Sequence, residues 1–290
     1  MNFWEQLKYR FQQFNIAEKI ILINVLCFVI PFFLKTIFYL FNQPFALFLN
    51  WFELSSDLNQ ILFRPWTLVT YSFLHSGFFH LFWNMVLLYF SGRLFLNLFG
   101  DKLLLNTYFL GVLIGGVVFV LSYLIFPVFQ GIRPSMVGAS AGVMAVFIFV
   151  CSYTPDQEVR MLFFNVKLRY LGMAFVLLDI IQIPTGNAGG HLAHIGGAAL
   201  GFFYVQQLRR GSDIGAPFEK FLTTFTSFFT KKKNLRTVYK ANHKQAPLKK
   251  TKNTEVDQKR IDSILDKIGK SGYESLSKEE KDFLFTAGKD

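Results

Sequence analysis

The sequence predicts an all-α polytopic membrane protein: six spanning helices, then a small C-terminal helical hairpin. Three observations carry this. The 290 residues are 52% hydrophobic and include 37 Phe, too apolar for an ordinary soluble domain. Apolar runs of ~17–25 residues, each sufficient to cross a bilayer, recur through the first 210 residues. Beyond that point the apolar groups are short, and 16 of the 30 Lys and Arg lie between Lys231 and Lys289.

The elements follow in order. Residues 1–17 form an amphipathic, charged N-terminal segment, MNFWEQLKYRFQQF, without a cleavage-site pattern. It is expected to be cytoplasmic, with the first span acting as the insertion signal. That span runs near 18–41. Residues 42–75, with Trp51, Arg64, Pro65 and Trp66, are amphipathic and aromatic and should lie at the membrane interface. The second span is expected near 77–98, and the third, with Gly111, Gly115 and Gly116, near 103–126. The fourth, near 136–152, begins MVGASAGVMAVF and holds Ser140 among small residues. The fifth lies near 168–183, and the sixth, with Gly196, Gly197 and Gly201, near 190–208. Residues 18–210 thus form one membrane domain. The stretch 211–254 is basic and broken by Pro and Asn, the composition of a flexible linker. In 255–290, Ile261, Ile264, Leu265 and Ile268 have helical spacing, and Ser277 with Glu280 forms a capping-box pattern before a second helix.

Charge orients the bundle. With six spans both termini share a side, and ten Lys or Arg flank the spans there, against three on the other side. The positive-inside rule then puts both termini in the cytoplasm, in a cell (inner) membrane, and the start of the Ser140 helix near the outer face. The formal charge of +11 belongs largely to the tail. It abuts a membrane segment, so its expected partner is the lipid surface and not nucleic acid. Cys27 and Cys151 both sit in apolar runs and make no disulfide framework.

Polar groups in lipid are costly and ask for a reason. His80 and Asn84 are spaced i,i+4 in HLFWN and face one way. Ser140 and His194 each lie about one turn inside their spans from the same outer end, so all four groups share a depth. A serine becomes a nucleophile when a base lies within hydrogen-bond reach, and imidazole accepts that proton near neutral pH. Imidazole N–H, the Asn amide and the unpaired backbone N–H of Ser140 at a helix start are donors suited to an oxyanion. Together they make a complete acyl-transfer set. His194, Gly197 and Gly201 share one helix face. That face can approach the Gly138–Gly142 stretch closely, which gives the small residues around Ser140 a packing role. A zinc site on the histidines is the lesser reading: HLAH spaces two imidazoles i,i+3, but there is no HExxH. No metal and no cofactor are expected. Asp179, the one intramembrane carboxylate, could orient His194 in a triad, but it lies several residues below the outer end of the fifth span, and a structural or hydrating role is the favoured reading. The polar residues cluster on one side of the membrane only, which disfavours a transport path.

These residues resemble the rhomboid family of intramembrane serine proteases, in RPWTLVTYSFLH (64–75), HLFWN (80–84), GASAG (138–142) and AHIGGAALG (193–201). The resemblance implies a six-helix rhomboid-like bundle, with transmembrane-protein substrates as partners. It assigns Ser140 as nucleophile and His194 as general base, in a dyad without an acidic third member. His80, Asn84 and the Ser140 backbone become oxyanion donors, and Arg64 and Trp66 fall near the core of a membrane-embedded first loop. Two positions depart from the family pattern: GxSG reads GASA, and the fourth residue after the serine, often aromatic, is Met144. Neither change removes a reacting group. The alternative is a catalytically silent relative that binds membrane helices. The tail resembles a short C-terminal extension of some bacterial rhomboid proteins.

Overall fold

In the computed structural model, which describes residues 2–161, 163–229 and 253–287, the chain forms two compact units, Met1–Lys231 and Lys232–Asp290. The first opens with α1 (Phe3–Gln13) and α2 (Ile16–Leu40). Each begins with a reciprocal capping box, Asn2 with Glu5 and Asn15 with Glu18, which satisfies N–H groups that a helix start leaves unpaired. The interfacial stretch breaks into short pieces: α3 (Phe45–Leu49), β1 (Leu54–Ser55), α4 (Leu58–Phe63), α5 (Thr67–Thr70) and a 3-10 turn at Tyr71–Phe73. Then come α6 (Phe78–Leu96), α7 (Asp101–Ile125), β2 (Ser135–Met136) and α8 (Ser140–Tyr153). A hairpin of β3 (Glu158–Met161) and β4 (Phe164–Lys167) leads to α9 (Leu168–Gln182), α10 (Ala188–Arg209) and α11 (Ala216–Phe229).

The six expected spans correspond to α2, α6, α7, α8, α9 and α10. Among the described residues, four regions are long and apolar enough to cross a membrane: α2, α6, α7 and residues 168–185, which comprise α9 with the turn after it. Their outward faces carry exposed apolar groups such as Phe33, Trp83, Leu124 and Ile181. The other two are set apart by position and composition. In α8 every residue from Ala141 to Cys151 is buried, so a helix apolar on all sides is enclosed by protein. It packs against α6, α7, α9 and α10. At 14 residues it is ~21 Å long by the α-helical rise, shorter than the ~30 Å hydrocarbon core. α10 has 22 residues, but its Gly, His and Gln lower its hydropathy.

Three expectations need correction. The fourth span starts at Ser140 and not near 136, because Ser135 and Met136 pair with Ser55 and Leu54, and Gly138 takes φ +134, outside the helical region. The antiparallel β3–β4 hairpin, which pairs Val159 with Val166, was not foreseen; its period-two apolar pair was obscured by flanking charges. The expected linker 211–254 contains α11. Its Glu219 meets Lys102 at the start of α7 at 2.6 Å, which brings the end of α10 and the start of α7 to one end of the bundle. Residues 230–252 of that stretch lie outside the described residues.

The second unit is a helical hairpin, α12 (Asn253–Ser271) and α13 (Lys278–Ala287). Gly272 at φ +76 ends α12, its N–H bonding to the Ile268 carbonyl at 2.9 Å. Ile264 and Leu276 are buried. Ser277 and Glu280 form the expected capping box, and Lys267 Nζ lies 2.9 Å from Glu280, holding that carboxyl below its usual range.

Candidate active site

Ser140 is the first residue of α8. Its backbone N–H therefore belongs to the unpaired first turn, at the positive end of the helix dipole. Its Oγ lies 2.6 Å from His194 Nε2. The other ring nitrogen, Nδ1, lies 2.8 Å from Asp179 Oδ1, and His191 Nδ1 reaches the same oxygen at 2.8 Å. A carboxylate only accepts, so both Nδ1 atoms carry the proton and donate to it. His194 Nε2 is then unprotonated and accepts the Ser140 hydroxyl hydrogen. Asp179 is buried, and two N–H donors offset the cost of holding its charge away from water.

The helix packing explains how residues 54 positions apart come into contact. A Cβ on Gly197 would sit 2.1 Å from the Ala141 carbonyl oxygen, and one on Gly201 2.2 Å from that of Ala145. α10 therefore lies directly on the backbone of α8. The sequence expectation is corrected in one respect. Gly138 and Gly142 do not receive α10: Gly142 faces Tyr108 and Val112 of α7, and Gly138 faces His80. It is the backbone carbonyls of Ala141 and Ala145 that meet Gly197 and Gly201, while their methyl groups face Gly115 and Gly111 of α7, as Gly142 also faces α7.

His80, in the first turn of α6, borders Ser140. A Cβ at Gly138 would stand 2.8 Å from His80 Cε1, 2.9 Å from Nε2 and 3.5 Å from Ser140 Oγ. Glycine thus keeps open the gap between imidazole and hydroxyl, at a φ that side chains rarely adopt. Ser76 Oγ lies 3.0 Å from His80 Nδ1. When the Ser76 hydroxyl donates to that nitrogen, Nε2 carries the proton and points a donor toward the gap. Asn84 is buried one turn deeper, and its amide donates to the His80 carbonyl at 2.9 Å. His75 stands edge-to-face with His80, ring centroids 5.1 Å apart. With Ser76, Glu53, Lys35 and Cys27 it lines a cavity of about 290 Å³, room enough for water.

The first loop is fastened by the two residues the resemblance singled out. Arg64 Nη1 donates to the Asn50 carbonyl at 2.9 Å, with its guanidinium 4.3 Å from the Trp51 ring centroid. Trp66 Nε1 donates to the Trp51 carbonyl at 2.7 Å, and the two indoles stack in parallel.

Asp179 is the residue whose place the sequence reading missed. It lies three residues before the end of α9, and the 3-10 turn Ile183–Thr185 extends the chain further toward the site end. His194 lies six residues inside α10, closer to two turns than the one expected. By helical rise both sit ~9–10 Å below that end, so their depths coincide. The HLAH pair, read against an acid 12 and 15 residues upstream on the preceding helix, was the signal available. Asp179, His191 and His194 also form the one grouping with metal-ligand spacing among the described residues, their ligand atoms within 4.8 Å of one another. Those atoms are engaged with each other as carboxylate and imidazole N–H.

Fold and site together define a class: a polytopic membrane protein whose polar machinery is held between helices just inside one end of the bundle. The rhomboid domain matches residues 63–211, which include Arg64, His80, Ser140 and His194. The chain belongs to the rhomboid family. It is 32% identical over 183 residues to RHOMBOID-like protein 12, mitochondrial, of Arabidopsis thaliana, covering 59% of this chain and 54% of that protein. It is 26% identical over 155 residues to presenilin-associated rhomboid-like protein, mitochondrial, of Bos taurus, covering 52% and 40%. A Danio rerio relative, presenilin-associated rhomboid-like protein A, mitochondrial, is 30% identical over 142 residues, covering 48% and 36%. The chain thus spans about half the length, or less, of these curated relatives. Residues 250–286 match a family of unknown function, DUF6576.

Proposed function

We propose that this chain is an intramembrane serine endopeptidase that hydrolyses peptide bonds in or near transmembrane segments of membrane proteins. The observation that carries the reading is the 2.6 Å contact from Ser140 Oγ to His194 Nε2 within a rhomboid-family bundle. Ser140 Oγ attacks the scissile carbonyl carbon as its proton passes to His194 Nε2. The carbonyl electron pair moves onto oxygen, where the Ser140 N–H, His80 Nε2–H and Asn84 amide serve as donors. As the C–N bond breaks, His194 returns the proton to the leaving amine. Water then attacks the acyl-serine ester with His194 again as base, and Ser140 is regenerated. The cavity beside His75 is a reservoir for that water. A substrate helix must unwind locally, since its carbonyls are already hydrogen-bonded within the membrane. The proposed location is a cell membrane, with the chain multi-pass and the charge bias favouring both termini on the cytoplasmic side.

The test is cleavage of a reporter membrane substrate together with labelling by a fluorophosphonate. Ser140→Ala and His194→Ala should each lower cleavage by roughly 10⁴-fold, and Ser140→Ala should abolish labelling. Cleavage retained in either variant refutes the assignment. A wild-type chain that neither labels nor cleaves is the silent, helix-binding relative instead.

A further inference from the structure

We propose that Asp179 is a positioning residue for the reaction, the third member of a Ser140–His194–Asp179 relay, with His191 fixing the carboxylate in place. The inference rests on the assignment of Ser140 and His194 above and deepens it. A general base needs the correct tautomer as well as proximity. A neutral imidazole protonated on Nε2 cannot accept the serine proton, and nothing intrinsic to the ring selects the other form strongly. Asp179 Oδ1, 2.8 Å from His194 Nδ1, does select it, because a carboxylate in that place is satisfied only by an N–H. The same oxygen faces the positive charge that forms on the ring when Ser140 gives up its proton. The contact is largely shielded from water, with side-chain exposures of 9% for Asp179 and 21% for His194, so the attraction is screened less than at a surface.

His191 accounts for how the carboxylate keeps its position. Three residues before His194 on the same helix face, it donates through Nδ1 to the same Oδ1. The two rings stand edge-to-face, centroids 5.7 Å apart, and straddle the acid. One carboxylate oxygen is thus held between two imidazoles on a single helix, which leaves it little freedom to swing off His194.

A purely structural role is the competing explanation, since the same bonds fasten α9 to α10. The variant Asp179→Asn separates the two: asparagine can still accept a bond and join the helices, but it carries no charge and can equally donate and stabilise the wrong tautomer. The readout is the fluorophosphonate labelling rate of purified full-length protein, resolved into its limiting rate and its half-saturating probe concentration. The limiting rate of Asp179→Asn should fall at least tenfold, with the half-saturating concentration and the melting temperature in detergent near wild type. Asp179→Glu, which restores the charge with a longer arm, should recover part of the rate. A wild-type limiting rate in Asp179→Asn overturns the proposal. If the asparagine variant does not fold, Asp179→Glu decides: a displaced carboxylate should still slow labelling at least threefold, and wild-type labelling overturns the proposal. Failure here is distinct from failure of the protease assignment: a wild-type limiting rate in Asp179→Asn leaves that assignment standing, whereas labelling that survives Ser140→Ala sinks it.

Discussion

At position 138 the side chain is absent for two separate reasons. The backbone there has φ +134, and the space where a Cβ would project is bounded by His80 and Ser140. Gly138→Ala should therefore cost ~1–3 kcal/mol of stability through backbone strain. It should also slow fluorophosphonate labelling more than tenfold, because the added methyl enters the gap where an oxyanion would form. Thermal unfolding in detergent and labelling rates measured on the same preparation check both effects. Labelling that falls only in proportion to the unfolded fraction would show that the gap has no part in the chemistry. Ser140, His194 and His80 were legible as residues in the sequence because unusual polar groups in apolar surroundings announce themselves. Ser76 was not, since a serine in a short interfacial turn is ordinary until His80 is seen to lean on it.

Among the elements, the contact of α10 on α8 carries the arrangement. Gly201→Val would place a branched side chain on a position where even Cβ stands 2.2 Å from the Ala145 carbonyl oxygen. Backbone has no rotamer by which to retreat, so the helices must separate, at a cost of ~1–3 kcal/mol or more. Denaturant unfolding should show this loss, and labelling of Ser140 should fall with it even where the protein remains folded. The spans were legible because apolar runs and glycine spacing survive in one dimension. Helix starts were less so: β2 and the turn at Gly138 hold back α8 by four residues, and the pairing of residues 54–55 with 135–136 is a tertiary fact that no local window contains. Asp179 was misplaced for a related reason. Counting depth along each span assumes that helices end where apolar runs end, and the 3-10 turn after α9 breaks that assumption.

For the molecule as a whole, the site and the charged flanks occupy opposite ends. Ser140 and His194 lie near the starts of α8 and α10, whereas Lys102 at the start of α7 meets α11 just after α10 has crossed. Combined with the positive-inside bias, this predicts that a reporter fused after residue 290 is active only if it needs the cytoplasm. A reporter that scores on the far side would reverse the orientation and turn the Ser140–His194 site toward the cytosol. All the proposed reacting and positioning residues lie within the first compact unit.

The seam between α8 and α10 has one more implication. Flexible side chains between two helices act as a cushion, letting the helices slide or breathe by changing rotamers. Here peptide faces peptide with only hydrogen between, at Gly197 and again at Gly201. The spacing of hydroxyl and imidazole is thereby inherited from rigid amide planes, and thermal motion has few ways to stretch it. The pair stands on stiff masonry, so any movement that admits a bulky guest has to be hinged at some other joint of the bundle.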